Sequence, residues 1–262
     1  MNTYQININD ITINYYDNLL YNKPTLCFIH GLGQNLTAWI NQLTYFNNEY
    51  RVIAMDLRGH GNTSSGNKRI TIEQFADDVI NLLSYLEIER LHFIGLSLGG
   101  LICQHLTLEH QNKILSLTLS NTFASVPFQK QFPIDSRLNI ISTFDINQLS
   151  DYYAKSCLYN SDMQIFQYVK NLFNNTNKQV YLDTARCTFL FNSQSLLSMI
   201  DVPTLIICGE YDMVTPINCS KYLHQNIKNS KLEIIPNAGH LTKLEQPLIF
   251  NNVLKKFYLM DN

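Results

Sequence analysis

Short apolar runs recur along the chain, and segments with helical spacing separate them. An alternating apolar and polar pattern near the N-terminus predicts a hairpin, whereas the later runs are continuous, as expected of parallel strands covered on both faces. The predicted strands span residues 4–9, 12–16, 25–30, 51–56, 91–96, 114–120, 203–208 and 231–235. This order predicts an α/β fold with a mostly parallel, doubly wound sheet and an N-terminal antiparallel hairpin.

Two segments have clear helical periodicity. In residues 71–83 several apolar residues fall on one helix face, and Thr71 precedes them as a candidate N-cap. These residues are Ile72, Phe75, Val79 and Leu82. A final helix is predicted over residues 244–259, with four side chains buried against the sheet. These side chains are Leu248, Val253, Leu254 and Phe257.

The middle of the chain differs in composition from the rest. Residues 101–208 contain none of the 10 glycines, and residues 123–199 are rich in Phe, Tyr and Leu but lack strong strand patterns. A chain of 262 residues is long enough for one large domain with an insertion. We therefore predict an α/β core formed by residues 1–122 and 200–262, with residues 123–199 inserted as a helical cap.

Charge and hydropathy exclude several classes of partner. A net charge of −2 gives no general attraction to nucleic acid or to acidic membranes. No apolar stretch approaches the roughly 20 residues that span a bilayer, and the first residues lack the pattern of a signal peptide. The six cysteines form no C-x-x-C pair, which favours free thiols in the core. We expect a cytoplasmic protein that acts on small molecules, with no transmembrane segment.

The glycines lie mainly where predicted strands end, and ligands of such sheets bind at the carboxyl ends of strands. One cluster, residues 95–100, reads Gly-Leu-Ser-Leu-Gly-Gly between a predicted strand and a predicted helix. A G-x-S-x-G sequence in this setting is the nucleophile elbow of serine hydrolases, which makes Ser97 the candidate nucleophile. The alternative is an ordinary strand-to-helix turn that contains glycine and serine.

A serine hydroxyl needs a base, and the base needs an orienting acid. On this type of fold the chain order is Ser, then Asp or Glu, then His. Asp212 and His240 follow the strands at 203–208 and 231–235 in that order. The alternatives are that Asp212 caps the next helix and that His240 is a surface histidine. Glu210 is the rival acid, but it follows a sharp-turn glycine and is expected to point away.

The position after the strand at 114–120, where such folds sometimes carry the acid, holds Asn121, which leaves Asp212. Attack on a carbonyl also requires backbone N–H groups that face the oxyanion. One is expected from Leu98 at the start of the helix after the elbow, and the other from Leu32 in the loop after the strand at 25–30. His30 is expected to brace that loop.

Together these clusters resemble the α/β-hydrolase superfamily. His-Gly-Leu-Gly at 30–33 looks like its oxyanion loop, and Asp-Leu-Arg-Gly-His-Gly at 56–61 looks like its second strand-end signature. Residues 93–100, 119–122 and 239–247 look most like 3-oxoadipate enol-lactonases and related esterases. Those lactonases often replace the His-Gly pair, which is intact here and favours a general carboxylesterase. The resemblance implies a cofactor-independent serine esterase for small or medium acyl substrates.

Four other functions stay open. Two are a 3-oxoadipate enol-lactonase-like lactonase and a pimeloyl-carrier-protein methyl ester esterase, and a third is a non-catalytic small-ligand receptor on the same fold. The fourth is a dinucleotide-binding enzyme, because a G-x-G sequence follows one strand and Asp56 ends the next. Leu36 replaces the third glycine of that pattern, so this last function is disfavoured.

The substrate pocket is expected under the cap. Its candidate lining residues are Phe123, Phe128, Tyr152 and Met213. Arg137 and Arg186 are candidates to meet a substrate carboxylate, although a solvated or paired arginine is the commoner outcome. An acyl-carrier partner would need a basic cap surface, for which the candidates are Lys130, Arg137, Lys155 and Lys170.

Overall fold

Eight strands form one sheet in the order β1-β2-β4-β3-β5-β6-β7-β8. The computed structural model describes residues 1–126, 134–160, 162–173 and 176–260. The strands are Tyr4–Ile8 (β1), Ile11–Asp17 (β2), Thr25–Ile29 (β3), Arg51–Met55 (β4), Leu91–Leu96 (β5), Ile114–Ser120 (β6), Thr204–Gly209 (β7) and Ser230–Ile235 (β8). Each predicted strand is present, with ends that differ by at most one residue from the prediction.

The sheet is antiparallel at one edge and parallel elsewhere. β1 and β2 form the hairpin, β2 runs antiparallel to β4, and the remaining neighbours are parallel. The predicted fold class, an α/β fold with an N-terminal antiparallel hairpin, is confirmed. Because the parallel strands end at the same edge, the loops that follow β3, β5, β6, β7 and β8 meet there.

The parallel strands are buried on both faces, and this explains their continuous apolar sequences. Successive side chains of a strand point to opposite faces. In β3, Cys27 and Ile29 pack in the core on one side, and Leu26 and Phe28 pack in the core on the other. Two separate cores therefore sandwich the sheet.

Ten α-helices lie in the described ranges. They are Ile40–Phe46 (α1), Ile72–Tyr85 (α2), Leu98–His110 (α3), Ile134–Thr143 (α4), Ile146–Cys157 (α5), Met163–Leu172 (α6), Lys178–Leu190 (α7), Ile217–Asn226 (α8), Thr242–Glu245 (α9) and Pro247–Met260 (α10). α2, α3 and α8 supply the core on one face of the sheet, whereas α1 and α10 supply the core on the other. Thr71 caps α2, since its side chain accepts a hydrogen bond from the Gln74 N–H.

Helices α4 to α7 lie between β6 and β7 in the chain, and we call them the cap helices. α5 packs against α6, and α4 packs against α7. A small core of their own is formed by Leu149, Phe173 and Tyr181. The division into a core of residues 1–122 and 200–262 and a cap of residues 123–199 stays a prediction.

The prediction that Leu248 is buried is wrong, because this side chain is 71% exposed. The last helix begins at Pro247, and its buried side chains include Phe250, Leu254 and Phe257. Leu248 precedes Phe250 by two residues and therefore lies on the opposite side of the helix. Val253 is half-buried.

All six cysteines are free thiols, as predicted, and five of them are buried. Burial raises the pKa of the Cys208 thiol to about 11 and that of Cys187 to about 12. Within the ranges that the structure describes, no helix is long and apolar enough to cross a bilayer.

Candidate active site

Ser97 lies at the turn between β5 and α3, with φ of 52° and ψ of −115°. A positive φ is uncommon outside glycine and persists only where the surroundings hold it. The Ser97 N–H donates to the Ser120 carbonyl at 3.0 Å, and the Thr122 hydroxyl donates to the Ser97 carbonyl at 2.8 Å. These two bonds from β6 and the residues after it fasten the strained turn.

The glycines beside Ser97 are required by close backbone contacts. A Cβ on Gly95 would overlap the carbonyl of Gly99, and a Cβ on Gly99 would overlap the carbonyl of Ile29. In both cases the added Cβ would meet backbone atoms, which cannot move aside as the end of a flexible side chain can. The elbow sequence therefore follows from the packing of α3 against β3 and β5.

Asp212 and His240 form a buried pair. The Nδ1 atom of His240 lies 2.9 Å from Oδ2 of Asp212, and the two residues are 2% and 3% exposed, respectively. The pairing assigns the Nδ1 hydrogen to the contact with the carboxylate. Nε2 is then the ring nitrogen that can accept a proton, as a general base requires.

Four further donors hold the Asp212 carboxylate. Oδ1 accepts the N–H groups of Val214 and Thr215 at 2.8 and 2.9 Å, and Oδ2 accepts the Thr215 hydroxyl at 2.7 Å and the Asn121 amide at 2.9 Å. Burial favours the neutral acid, but His240 and these hydrogen bonds outweigh it and lower the pKa of Asp212 from 3.8 to about 2. Asp212 is therefore an anion at neutral pH.

Asn121 contacts the candidate acid, a role that the sequence did not predict. It has a φ of 46°, and its side-chain oxygen accepts the Thr242 hydroxyl at 2.8 Å while its amide donates to Asp212. Its place at the carboxyl end of β6 was the signal that could have identified it. Glu210, the rival acid, instead accepts the Asn237 N–H at 3.3 Å near the surface.

The predicted oxyanion donors lie on either side of the elbow. Leu32 lines the same cavity as Ser97, and a Cβ built on Gly31 would lie 3.6 Å from the Ser97 Cβ. Leu98 is the first residue of α3, so its N–H needs no partner within the helix. The two backbone segments are adjacent, and their role as oxyanion donors stays a prediction.

His30 braces the loop that contains Leu32, as expected. Its Nδ1 contacts the Gly31 carbonyl at 2.8 Å, and its Nε2 accepts the Leu57 N–H at 3.0 Å. Burial, followed by the nearby His60, lowers the pKa of His30 well below 6.5. A neutral histidine is required, because Nε2 serves as an acceptor.

A cavity of about 530 Å³ contains both Ser97 and His240. Most of its lining is aromatic or aliphatic, and much of it comes from the cap helices and the residues next to them. The apolar lining residues are Leu32, Phe123, Val126, Ile140, Ile141, Phe144, Tyr152, Tyr153, Tyr181, Phe189, Met213 and Val214. Three of the four predicted pocket residues are among them, and Phe128 lies outside the described residues.

The basic residues considered on the cap have other partners where the structure describes them. Arg186 pairs with Asp135 at 2.9 Å near the surface. Lys155 and Lys170 both contact Asp151. Lys130 and the side chain of Arg137 lie outside the described part of the chain.

Asp56, which suggested a dinucleotide site, is a structural residue. Its carboxylate is buried and accepts the N–H groups of Leu36 and Asn62 and the Asn14 amide at 2.7 to 2.8 Å. Over residues 1–126, 134–160, 162–173 and 176–260, no group of three or more His, Cys, Asp or Glu side chains could hold a metal ion.

Comparison with known proteins agrees with this fold. A family model described as the alpha/beta hydrolase fold matches residues 24–247. The chain is 28% identical over 257 residues to 3-oxoadipate enol-lactonase 2 of Acinetobacter baylyi, with 95% of each covered. It is 27% identical over 260 residues to the Karrikin insensitive 2 receptor IA of Petunia hybrida, with 91% of this chain and 92% of the receptor covered. A crystal structure of a hydrolase from Pseudomonas aeruginosa PA01 superposes with a TM-score of 0.90 at 27% identity, covering 98% of both chains.

Proposed function

Because the chain belongs to the α/β-hydrolase family, we propose that it is a serine hydrolase that cleaves carboxylic esters of small or medium acyl groups. The observation that carries the proposal is the buried Asp212–His240 pair beside an apolar cavity that also contains Ser97. An oriented base next to an elbow serine is the arrangement that acyl transfer requires.

The reaction follows from the roles of the three side chains. Nε2 of His240 takes the proton as the Ser97 oxygen attacks the ester carbonyl carbon. The carbonyl oxygen becomes an anion, which the N–H groups of Leu32 and Leu98 stabilise. The carbon–oxygen bond to the alcohol breaks, and His240 returns the proton to the departing alkoxide. Water then attacks the acyl-serine by the same steps and releases the acid.

Asp212 has two tasks in this scheme. It fixes the histidine tautomer that leaves Nε2 free as a base, and its charge stabilises the imidazolium formed during attack. Both tasks need an ionised carboxylate. Its lowered pKa supports this role, since the group stays charged throughout the neutral range.

The cavity supports a substrate with an apolar acyl group. A volume of about 530 Å³ lies within the range of roughly 300–1,000 Å³ usual for small-molecule sites. Aromatic and aliphatic walls favour hydrocarbon over charged groups, since an uncompensated charge is costly to bury. Esters with short or medium aliphatic chains fit these walls.

Lactone hydrolysis is the second candidate, favoured by the relative named as an enol-lactonase. A lactone is a cyclic ester, so the same residues would open it and retain the alcohol on the acyl chain. A ligand receptor is the third candidate, given the relative named as a receptor. Such a protein would bind a small apolar ligand in the cavity without repeated turnover.

The test is a panel of p-nitrophenyl esters from acetate to dodecanoate, together with 3-oxoadipate enol-lactone and a pimeloyl methyl ester in free and carrier-bound form. Ser97→Ala serves as the blank. We expect repeated turnover of the apolar esters, with a maximum at short or medium chains, that is abolished in the variant. Mass spectrometry after treatment with a fluorophosphonate should place the label on Ser97.

Other outcomes separate the candidates. Preference for the enol-lactone over all open-chain esters would favour the lactonase. Salt-sensitive activity on the carrier-bound ester alone would favour the carrier-protein esterase. Tight ligand binding with no turnover of any ester would refute the enzyme and favour the receptor.

A further inference from the structure

The loop that carries His240 is held by the cap as well as by the core. We call residues 237–241 the histidine loop and residues 157–160, which begin at the last residue of α5, the cap turn. The Cys157 carbonyl accepts the backbone N–H of His240 at 2.7 Å and that of Leu241 at 3.3 Å. The backbone of the candidate base is therefore bonded directly to the end of a cap helix.

Glu245 forms a second link between the same two segments. Its Oε2 accepts the Gly239 N–H at 2.7 Å, and its Oε1 accepts the N–H groups of Tyr159 at 2.8 Å and Asn160 at 3.3 Å. A carboxylate accepts hydrogen bonds through both oxygens and donates none. It is thus suited to bridge two backbone segments whose N–H groups converge on it.

The two segments pack backbone against backbone. A Cβ on Gly239 would lie 2.7 Å from the Cys157 carbonyl oxygen and 2.9 Å from the Tyr159 nitrogen. Outside this contact, the rings of Tyr159 and Tyr211 stack with centroids 3.8 Å apart. The close backbone contact at Gly239 leaves little room for the histidine loop and the cap turn to shift independently.

We propose that Glu245 is a positioning residue for the proposed reaction, because it joins the histidine loop to the cap turn and so fixes where His240 meets Ser97. The placement of the base then depends on the cap turn. This inference rests on the proposed role of His240, whereas the mechanical link between the two segments does not.

Glu245→Gln removes the link with little change in shape. A glutamine has one acceptor oxygen, and its NH₂ group would face the N–H groups on the other side of the bridge. We expect kcat to fall by about 10- to 100-fold with KM changed less than about threefold, since small displacements of a catalytic group cost on this scale. The fall should be as large for p-nitrophenyl acetate as for p-nitrophenyl octanoate.

Glu210→Gln is the matched control. Glu210 follows β7 and accepts the Asn237 N–H near the surface, so this variant removes one negative charge beside the same loop, as Glu245→Gln does. We expect its kcat to stay within about twofold of wild type, because one exposed hydrogen bond contributes little. Glu245→Asp takes its place if Glu245→Gln is too unstable to purify. The aspartate keeps the charge but is too short to reach both segments, so kcat should fall in this variant as well.

Amide hydrogen exchange tests the link without reference to activity. In Glu245→Gln, exchange should accelerate together in peptides covering the cap turn and the histidine loop, while β5 and α3 are unchanged. Unchanged kcat, or a rise in KM confined to the bulky ester, would overturn the positioning role. Faster exchange in only one segment would overturn the link. If wild type hydrolyses no ester, the proposed function fails, and the exchange data alone support or refute the link.

Discussion

The buried side chain of Lys243 predicts that the stability of the protein depends on pH. This side chain is fully buried three residues after His240, and its Nζ donates to the Ala38 carbonyl at 2.6 Å and lies 4.6 Å from the centre of the Trp39 ring. Burial lowers the pKa of Lys243 from 10.5 to about 7. In the unfolded chain the same amine titrates near its ordinary value.

The sign of the effect follows from proton binding. Between the two pKa values the unfolded chain binds the proton and the folded chain does not, so stability rises with pH in that window. Each pH unit contributes up to about 1.4 kcal/mol, which amounts to about 3 kcal/mol between about pH 7 and pH 9.5. Below the pKa of Lys243 in the folded protein, the amine is charged in both states, and stability no longer changes with pH through this group.

Lys243→Met removes the amine while keeping an unbranched side chain. We expect the difference in unfolding free energy between wild type and variant to change by about 3 kcal/mol from about pH 7 to pH 9.5, in favour of wild type at high pH. Urea unfolding followed by the fluorescence of Trp39, the single tryptophan of the chain, measures this difference.

Lys255→Met is the control, because Lys255 lies at the surface beside Glu49. The unfolding free energy of Lys255→Met should change with pH in the same way as that of wild type between about pH 7 and pH 9.5. Parallel curves for wild type and Lys243→Met would refute the argument, since they would mean that the buried amine keeps its proton in the folded protein.

Three further predictions concern the candidate site. Asn121→Ala should lower kcat for p-nitrophenyl butanoate roughly 10-fold or more, because a hydrogen bond to a charged group contributes about 1.5–3 kcal/mol; an unchanged kcat would contradict its assigned contact. Gly99→Ala should destabilise the fold by about 1–3 kcal/mol in urea unfolding, whereas Gly31→Ala, whose added methyl meets only ordinary contacts, should not. Because the pKa of Asp212 is lowered to about 2, its ionised carboxylate stabilises the fold above about pH 4, and this stabilisation is lost as the pH falls towards about 2. Asp212→Asn should therefore lose less stability than wild type between these pH values, as measured by unfolding followed by circular dichroism.

The sheet could be predicted from the sequence because each strand is a local signal. Continuous apolar runs such as 25–29 and 91–96 are buried on both faces, so side-chain type alone marks them. The glycines at the strand ends follow from backbone contacts that tolerate no side chain. Ser97, Asp212 and His240 could be chosen as candidates because parallel strands bring their carboxyl ends to one edge.

Other features depend on contacts between distant parts of the chain. Nothing local to Glu245 or Cys157 indicates that they meet the same loop, because 88 positions separate them in the sequence. Asn121 was rejected as the acid because its side chain has no carboxylate, and its amide hydrogen bond to Asp212 was not predicted. Leu248 was placed in the core by its residue type, but the side of the helix that it occupies depends on how α10 packs.

The bonds between the cap turn and the histidine loop bear on how this protein could be re-engineered. Exchanging cap helices between relatives would change the lining of the cavity, to which these helices contribute. Here a transplanted cap would have to present a carbonyl where Cys157 does and N–H groups where Tyr159 and Asn160 do. Because these contacts use backbone atoms, a graft that retains the path of the chain through this turn can keep them with other side chains, provided that positions 159 and 160 are not proline. A graft that alters the path would change the cavity and also displace the backbone of His240, which these hydrogen bonds hold.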